Sequence, residues 1–340
     1  MSRHMSLHFS VTDQHATYQR FKSILEMCCE AGQKSILAYF MFGEIRIDKN
    51  FVRQIKHVER DMRKRFRFSI KYSIICQREQ INRVNLREAA IMGFKITLMI
   101  DDMIQLRKFR RLIKKIERYV PGSELYVKNY TRLTADLITY YKCHMPLRFE
   151  IPEIVDADFL ELFDNWVFLK DHPELGNYTD LLKVILLNEQ CICEYDSCLG
   201  RVLSVDSSGV VYWCKYNRAE TAIMYIDELS SFYECFKNES FEKYLDAHYK
   251  KRERCKAECN CFRLCQSGCP LRCDINKALF DCSEHVYINA INHLAKKMRQ
   301  YIGSGDLTLI NESIRKIVLN VIAFEPFSDF FKLCREEEEF

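Results

Sequence analysis

Cysteine spacing constrains this chain more than any other feature. Twelve of its 17 cysteines fall between Cys191 and Cys282. Cys198 is followed by ten residues, Gly209, four residues and Cys214; after a gap come Cys255, three residues, Cys259, five residues, Cys265, three residues and Cys269, and after a second gap Cys282. Thiolate is a soft, strongly donating ligand that suits iron–sulfur clusters and zinc, and two such centres need about eight cysteines. The pattern supplies seven, and Cys191 or Cys193 supplies an eighth.

Disulfides would require an oxidising compartment, and Met1 to Ser10 (MSRHMSLHFS) contains no apolar segment of the kind a secretory signal needs. The expectation is a cytoplasmic protein with metal-bound thiols. Zinc remains an alternative, because four-cysteine zinc sites also use closely spaced pairs. Inert packing suits Cys235 but not the run CKAECNCFRLCQSGCPLRC, where cysteine recurs too densely to be core filler.

The phrases CLGRVLSVDSSGVVYWC and CKAECNCFRLCQSGC, with a later cysteine, resemble the SPASM domain, the C-terminal extension of many radical SAM peptide-modifying enzymes. That family's pattern is C, nine to fifteen residues, G, four residues, C, then C-x2-C-x5-C-x3-C and a last C. This chain departs from it by one extra residue between Cys255 and Cys259. The resemblance implies two auxiliary 4Fe-4S clusters. One would be held by Cys198, Cys214 and Cys269 with Cys191 or Cys193, the other by Cys255, Cys259, Cys265 and Cys282. Cys261 and Cys273 are spare thiols that could substitute for a ligand.

Upstream, strand and helix periodicities alternate. Strands are expected at 5–11, 35–40, 66–72, 95–100, 125–128 and 147–151. Helices are expected at 18–31, 51–62, 81–92, 106–118, 133–141 and 159–169. Six such units in series predict a parallel sheet with helices outside it. A doubly wound open sheet would read similarly; the resemblance implies instead a partial (β/α)6 TIM-like barrel. The expected domains are a barrel over 1–188, a small Cys-rich SPASM domain over 189–285, and C-terminal helices over 286–340.

Radical SAM enzymes carry C-x3-C-x2-C after the first strand, and the thiolates hold the cluster that binds S-adenosylmethionine. Here the corresponding phrase is VTDQHATYQRFK, and the three cysteine positions fall on His15, Gln19 and Lys22. A histidine can ligate iron, an amide does so poorly, and a protonated lysine not at all. Of the family's GGEP phrase, which helps hold the methionyl end of the cofactor, Gly43 and Glu44 survive. Glu44 is therefore a vestigial candidate for that site, and S-adenosylmethionine itself is not expected to bind.

The chain resembles a degenerate radical SAM/SPASM protein of the kind that works beside peptide-maturation systems. The resemblance implies a non-catalytic iron–sulfur partner, assisting a true radical SAM maturase or holding the peptide precursor by electron relay, scaffolding or peptide binding. The alternatives are a redox or S-adenosylmethionine-binding peptide-modifying enzyme that uses its auxiliary clusters, and a zinc-stapled interaction domain.

No other catalytic pattern is present: no G-x-S-x-G, H-E-x-x-H, P-loop or strand-borne G-x-G-x-x-G. No apolar run approaches the ~20 residues of a membrane helix, so no membrane role is expected. A net charge of +4 gives no global demand for nucleic acid. The local exception is Leu106 to Arg118 (LRKFRRLIKKIER), an amphipathic helix with either a solvated basic face or an electrostatic dock.

Overall fold

The computed structural model describes residues 4–101, 104–128, 145–149, 200–215, 219–237 and 239–258. They divide between a unit of residues 1–100, 108–125 and 198–247 and a second of residues 101–107, 126–197 and 248–340.

The first unit is built on strand–helix repeats. Strands β1 (Met5–Val11), β2 (Ser35–Phe42), β3 (Ser69–Cys76) and β4 (Phe94–Ile100) alternate with helices α1 (Gln14–Glu30), α2 (Lys49–Arg65) and α3 (Arg83–Ile91). Helix α4 (Ile104–Tyr119) and strand β5 (Glu124–Val127) follow. Strands β1 to β4 pair in parallel, with Phe9 opposite Phe40, Tyr39 opposite Ser73 and Tyr72 opposite Phe94.

Three further strands complete this sheet: β7 (Val202–Val205), β8 (Val210–Tyr212) and β9 (Ala222–Tyr225), while the short β6 (Leu147–Phe149) belongs to the second unit. Within the first unit the order is β4-β3-β2-β1-β7-β8-β9. β7 lies parallel to β1, and β8 and β9 add on as antiparallel strands. The Gly209 segment of the SPASM-like phrase thus continues the sheet of the strand–helix repeats.

Period-two alternation explains which face is covered. Met5, Leu7, Phe9 and Val11 of β1 are buried, as are Ile36, Ala38, Phe40 and Phe42 of β2. Against them pack Phe21, Ile24, Leu25 and Cys28 of α1 and Phe51, Val52, Ile55 and Val58 of α2. Phe40 sits at the centre, with ring centroids 5.4 Å from Phe9, 5.5 Å from Phe21 and 5.4 Å from Phe51. Truncating such a ring to alanine costs about 3–5 kcal/mol.

Each of the first three helices starts on a side-chain cap. Asp13 accepts from the His15 and Ala16 amides, Asp48 from the Asn50 amide, and Asn82 from the Val84 and Asn85 amides. These bonds satisfy donors that no earlier turn can reach.

Two elements start three or more residues away from the sequence expectation. α1 starts at Gln14 rather than 18, because Asp13 caps it before the apolar periodicity begins. β3 starts at Ser69 rather than 66: the Phe66 amide still bonds to Met62 O, and α2 ends in Arg63, Lys64 and Arg65, which suit a helix C-terminus. The Phe66 and Phe68 rings lie under the Arg65 and Arg63 guanidiniums instead of joining the ladder. The expected helices at 133–141 and 159–169 and the C-terminal helices over 286–340 lie outside the described residues, as does the end of the strand expected at 147–151. No described helix is long and apolar enough to cross a membrane.

Candidate functional site

The C-terminal ends of parallel strands are where such folds collect ligands. Here only Thr12 and Asp13 separate β1 from α1. His15, Gln19 and Lys22, on the positions of the family's three cysteines, are all exposed on α1. Their spacing of four and three residues sets them on one helical face, with a rise of about 10 Å from first to last. One imidazole, one amide and one ammonium in a row do not fit an iron–sulfur cluster.

The loop after β2 is fastened to the same helix start. Gln14 donates from Nε2 to Arg46 O at 2.9 Å and accepts from the Asp48 amide at Oε1 at 2.8 Å. From the other side, the buried Gln80 donates to Gly43 O, and Asn85 to Ile47 O. The Gly43 amide bonds to Val11 O at 3.1 Å. Glu44 is exposed on this loop. Gln14, Gln80 and Asn85 were not singled out by sequence; short polar residues beside caps carry no periodic signal.

The sheet face opposite the helices carries a polar row. Register aligns Ser204, His8, Tyr39, Ser73 and Lys95 across β7, β1, β2, β3 and β4. His8 stacks on Tyr39 with ring centroids 4.6 Å apart. Burial, and secondarily the charge of Lys215, push the His8 imidazole down to about 3. Thr97 bridges Ser73 at 3.3 Å and Glu124 at 3.1 Å. The signal for this row was the alternation of Ser6, His8 and Ser10 with apolar residues in β1.

Cys214 ends the β7–β8 hairpin segment. It is 2% exposed and forms no disulfide. Ser204 donates to its carbonyl at 2.6 Å. The hairpin turn is organised by Asp206, whose Oδ1 accepts from the Ser208, Gly209 and Val210 amides and whose Oδ2 accepts from Tyr212. Partial burial pushes the Asp206 carboxyl up, but the bonds from Ser208, Tyr212 and the amides outweigh it and leave it low. Burial, then the Asp206 bond, pushes Tyr212 up to about 12.

Gly209, the motif glycine, has φ +99°, and a Cβ there would stand 3.0 Å from the Arg20 guanidinium. Neighbouring Trp213 is fully buried against Phe241 and Tyr244, and among the described residues its Nε1–H has no acceptor.

Cys255, in the second unit, is 4% exposed on helix α5 (Glu239–Glu258) and likewise forms no disulfide. Cys191, Cys193, Cys198, Cys259, Cys265, Cys269 and Cys282, with Cys261 and Cys273, lie outside the described residues. Among the described residues no group of three or more His, Cys, Asp or Glu could hold a metal. A buried cysteine outside any disulfide at 214 is chemically compatible with a sulfur-rich centre there. Elsewhere, burial pushes Cys76 and Cys235 up to about 12 and Cys28 well above the thiol range. Those three thiols are poor nucleophiles.

The architecture is mixed α/β with a parallel-strand sheet and matches the TIM-like fold of radical SAM enzymes. Among solved structures, the chain is similar to native anSMEcpe with bound AdoMet, at 18% identity, a TM-score of 0.68, and coverage of 89% of this chain and 99% of that one. It is similar also to native anSMEcpe with bound AdoMet and Cp18Cys peptide (17%, TM-score 0.64, coverage 94% and 99%) and with Kp18Cys peptide (17%, 0.65, 94% and 100%). No protein-family profile and no curated protein sequence matches the chain.

Proposed function

We propose that this protein is a non-catalytic iron–sulfur partner in the maturation of a ribosomally made peptide. The observation that carries the reading is the helix start after β1. Where the enzymes of this fold need three converging thiolates, this chain has an exposed stripe of His15, Gln19 and Lys22 on a regular, capped helix. The cysteines of the SPASM-like phrase are retained in the same sequence. Peptide maturation is supported by the similarity to structures described with bound peptide.

On this reading Cys198, Cys214 and Cys269 with Cys191 or Cys193 hold one 4Fe-4S cluster, and Cys255, Cys259, Cys265 and Cys282 the other. When bound, the clusters supply electron transfer or bracing. The chain's own contribution at Cys214 is positional. Ser204 holds the Cys214 carbonyl, Asp206 holds the hairpin, and Arg20 ties that hairpin to α1.

Anaerobic purification tests the reading. The expected protein is brown, with iron and acid-labile sulfide, co-purifies with a radical SAM maturase, and releases no 5'-deoxyadenosine when reduced with S-adenosylmethionine. A colourless zinc protein would move the assignment to a stapled interaction domain; 5'-deoxyadenosine release would make it an enzyme.

A further inference from the structure

Helix α4 concentrates the positive charge of the chain. Leu106 to Arg118 holds seven cations and one acid, a net of +6 against +4 for the whole protein, which leaves the remainder at −2. In the structure Ile113 and Ile116 are buried, while Lys108, Arg110, Arg111, Lys114, Lys115 and Arg118 are exposed. Many of these side chains are three or four positions apart, so like charges face one another along the helix and oppose its formation.

The comparison with α2 separates this helix from an ordinary solvated one. α2 is also rich in Lys and Arg, yet Arg53 pairs with Glu88, Lys56 and Arg63 with Glu59, Lys64 with Asp61, and Arg65 with Glu26. On α4, Lys108, Arg110, Arg111, Lys114 and Lys115 make no ion pair among the described residues, and Arg118 lies over the Tyr119 ring. Apolar anchoring by Ile113 and Ile116 holds the repelling charges on a rigid rod about 15 Å long.

We propose that the exposed face of α4 docks an acidic polypeptide segment, one carrying Asp or Glu at helical or extended spacing. The charge complementarity is local, and that favours a peptide over nucleic acid. A nucleic-acid surface extends over a domain with a pI above about 9, whereas here the sequence pI is 8.2 and the charge outside the helix is negative. The ion pairs form at the surface, so association is salt-sensitive and fast rather than tight. Docking rests on the α4 side chains rather than on the proposed clusters, so it is measured on the full chain as purified, whatever metal that chain holds.

The test is fluorescence anisotropy at low and physiological salt, with a fluorescein-labelled peptide bearing Glu at every fourth position and the same peptide with Gln. The expected result is salt-sensitive binding of the Glu peptide alone. The quadruple variant Arg111→Gln, Lys114→Gln, Lys115→Gln, Arg118→Gln should bind roughly tenfold more weakly. Lys49→Gln on α2 should bind as the parent does. The quadruple change relieves repulsion, so its thermal unfolding should not worsen; Arg111→Gln and Lys115→Gln alone should each show part of the loss. Equal binding of the Gln peptide, equal loss in Lys49→Gln, or tighter binding of a short DNA duplex than of the Glu peptide would overturn the proposal, as would no binding at low salt.

Discussion

The guanidinium of Arg20 closes over the backbone at Gly209: its Nη1 donates to Ser207 O at 2.9 Å and to Asp206 O at 3.3 Å, and it occupies the space where a Cβ at 209 would go. α1 and the β7–β8 hairpin are therefore joined by one side chain. The motif glycine is explained twice, by a left-handed φ and by this close approach. Gly209→Ala should cost about 1–2 kcal/mol. Gly32→Ala, with φ +77° but nothing within 4 Å, should cost less. Adding Arg20→Ala to Gly209→Ala should cost less than the sum of the two, since the arginine is gone when the methyl arrives. Urea unfolding of the singles and the double checks this; strict additivity would mean the contact is not coupled.

His8 gives the fold an acid sensitivity. Its imidazole, half-buried against Tyr39 and near Lys215, is pushed down to about 3 in the folded chain from an ordinary value near 6.5 when unfolded. Below 6.5 the unfolded chain therefore binds a proton that the folded chain does not. Stability from this group is fully present above 6.5 and falls as pH drops toward 3, by up to about 1.4 kcal/mol per pH unit. His8→Gln should flatten that part of the pH–stability curve. An unchanged slope between pH 6 and 4 would show that His8 gains its proton without unfolding.

Metal loading should distinguish the thiols. With the proposed ligand sets, Cys214→Ala should lose about half of the iron of anaerobically purified protein, because one of two clusters goes. Cys235→Ala should lose none: that thiol is buried, pushed up to about 12, and lies in a short 3-10 turn at Phe232–Phe236. Equal losses in the two variants would refute the ligand assignment.

Much of the sheet was legible because alternation and burial coincide. β1 spans the expected 5–11, β2 and β4 match within two residues, and Phe51, Val52, Ile55, Val58 and Met62 mark the buried face of α2 as their spacing implies. The misplacement at 66–72 arose because Phe66 and Phe68 alternate like strand residues but lie under arginine guanidiniums at a helix end. The β7–β1 pairing was not legible, since nearly two hundred residues separate Ser6 from Val202 and no local pattern encodes a partner strand. The candidate site divided the same way: cysteines declare themselves by spacing, whereas Gln14, Gln80 and His8 gain meaning only from what the fold sets beside them.

The same distinction bears on whether the start of α1 can be returned to cluster binding. His15→Cys, Gln19→Cys and Lys22→Cys together recreate C-x3-C-x2-C in sequence. In the structure those positions follow a helix whose first turn is capped by Asp13, reinforced by the Thr17 hydroxyl on Asp13 O at 2.7 Å, and locked through Gln14 to the 46–48 loop. Three thiols along about 10 Å of helix cannot converge on one cluster. The triple variant should therefore take up no additional iron on anaerobic reconstitution and should keep its helicity. Adding Asp13→Ala and Gln14→Ala removes the cap and the clamp, at about 1 kcal/mol each, and would free the turn to unwind. Extra iron in the five-site variant alone would locate the obstacle in helix geometry, whereas extra iron already in the triple variant would show that the helix start yields to the metal.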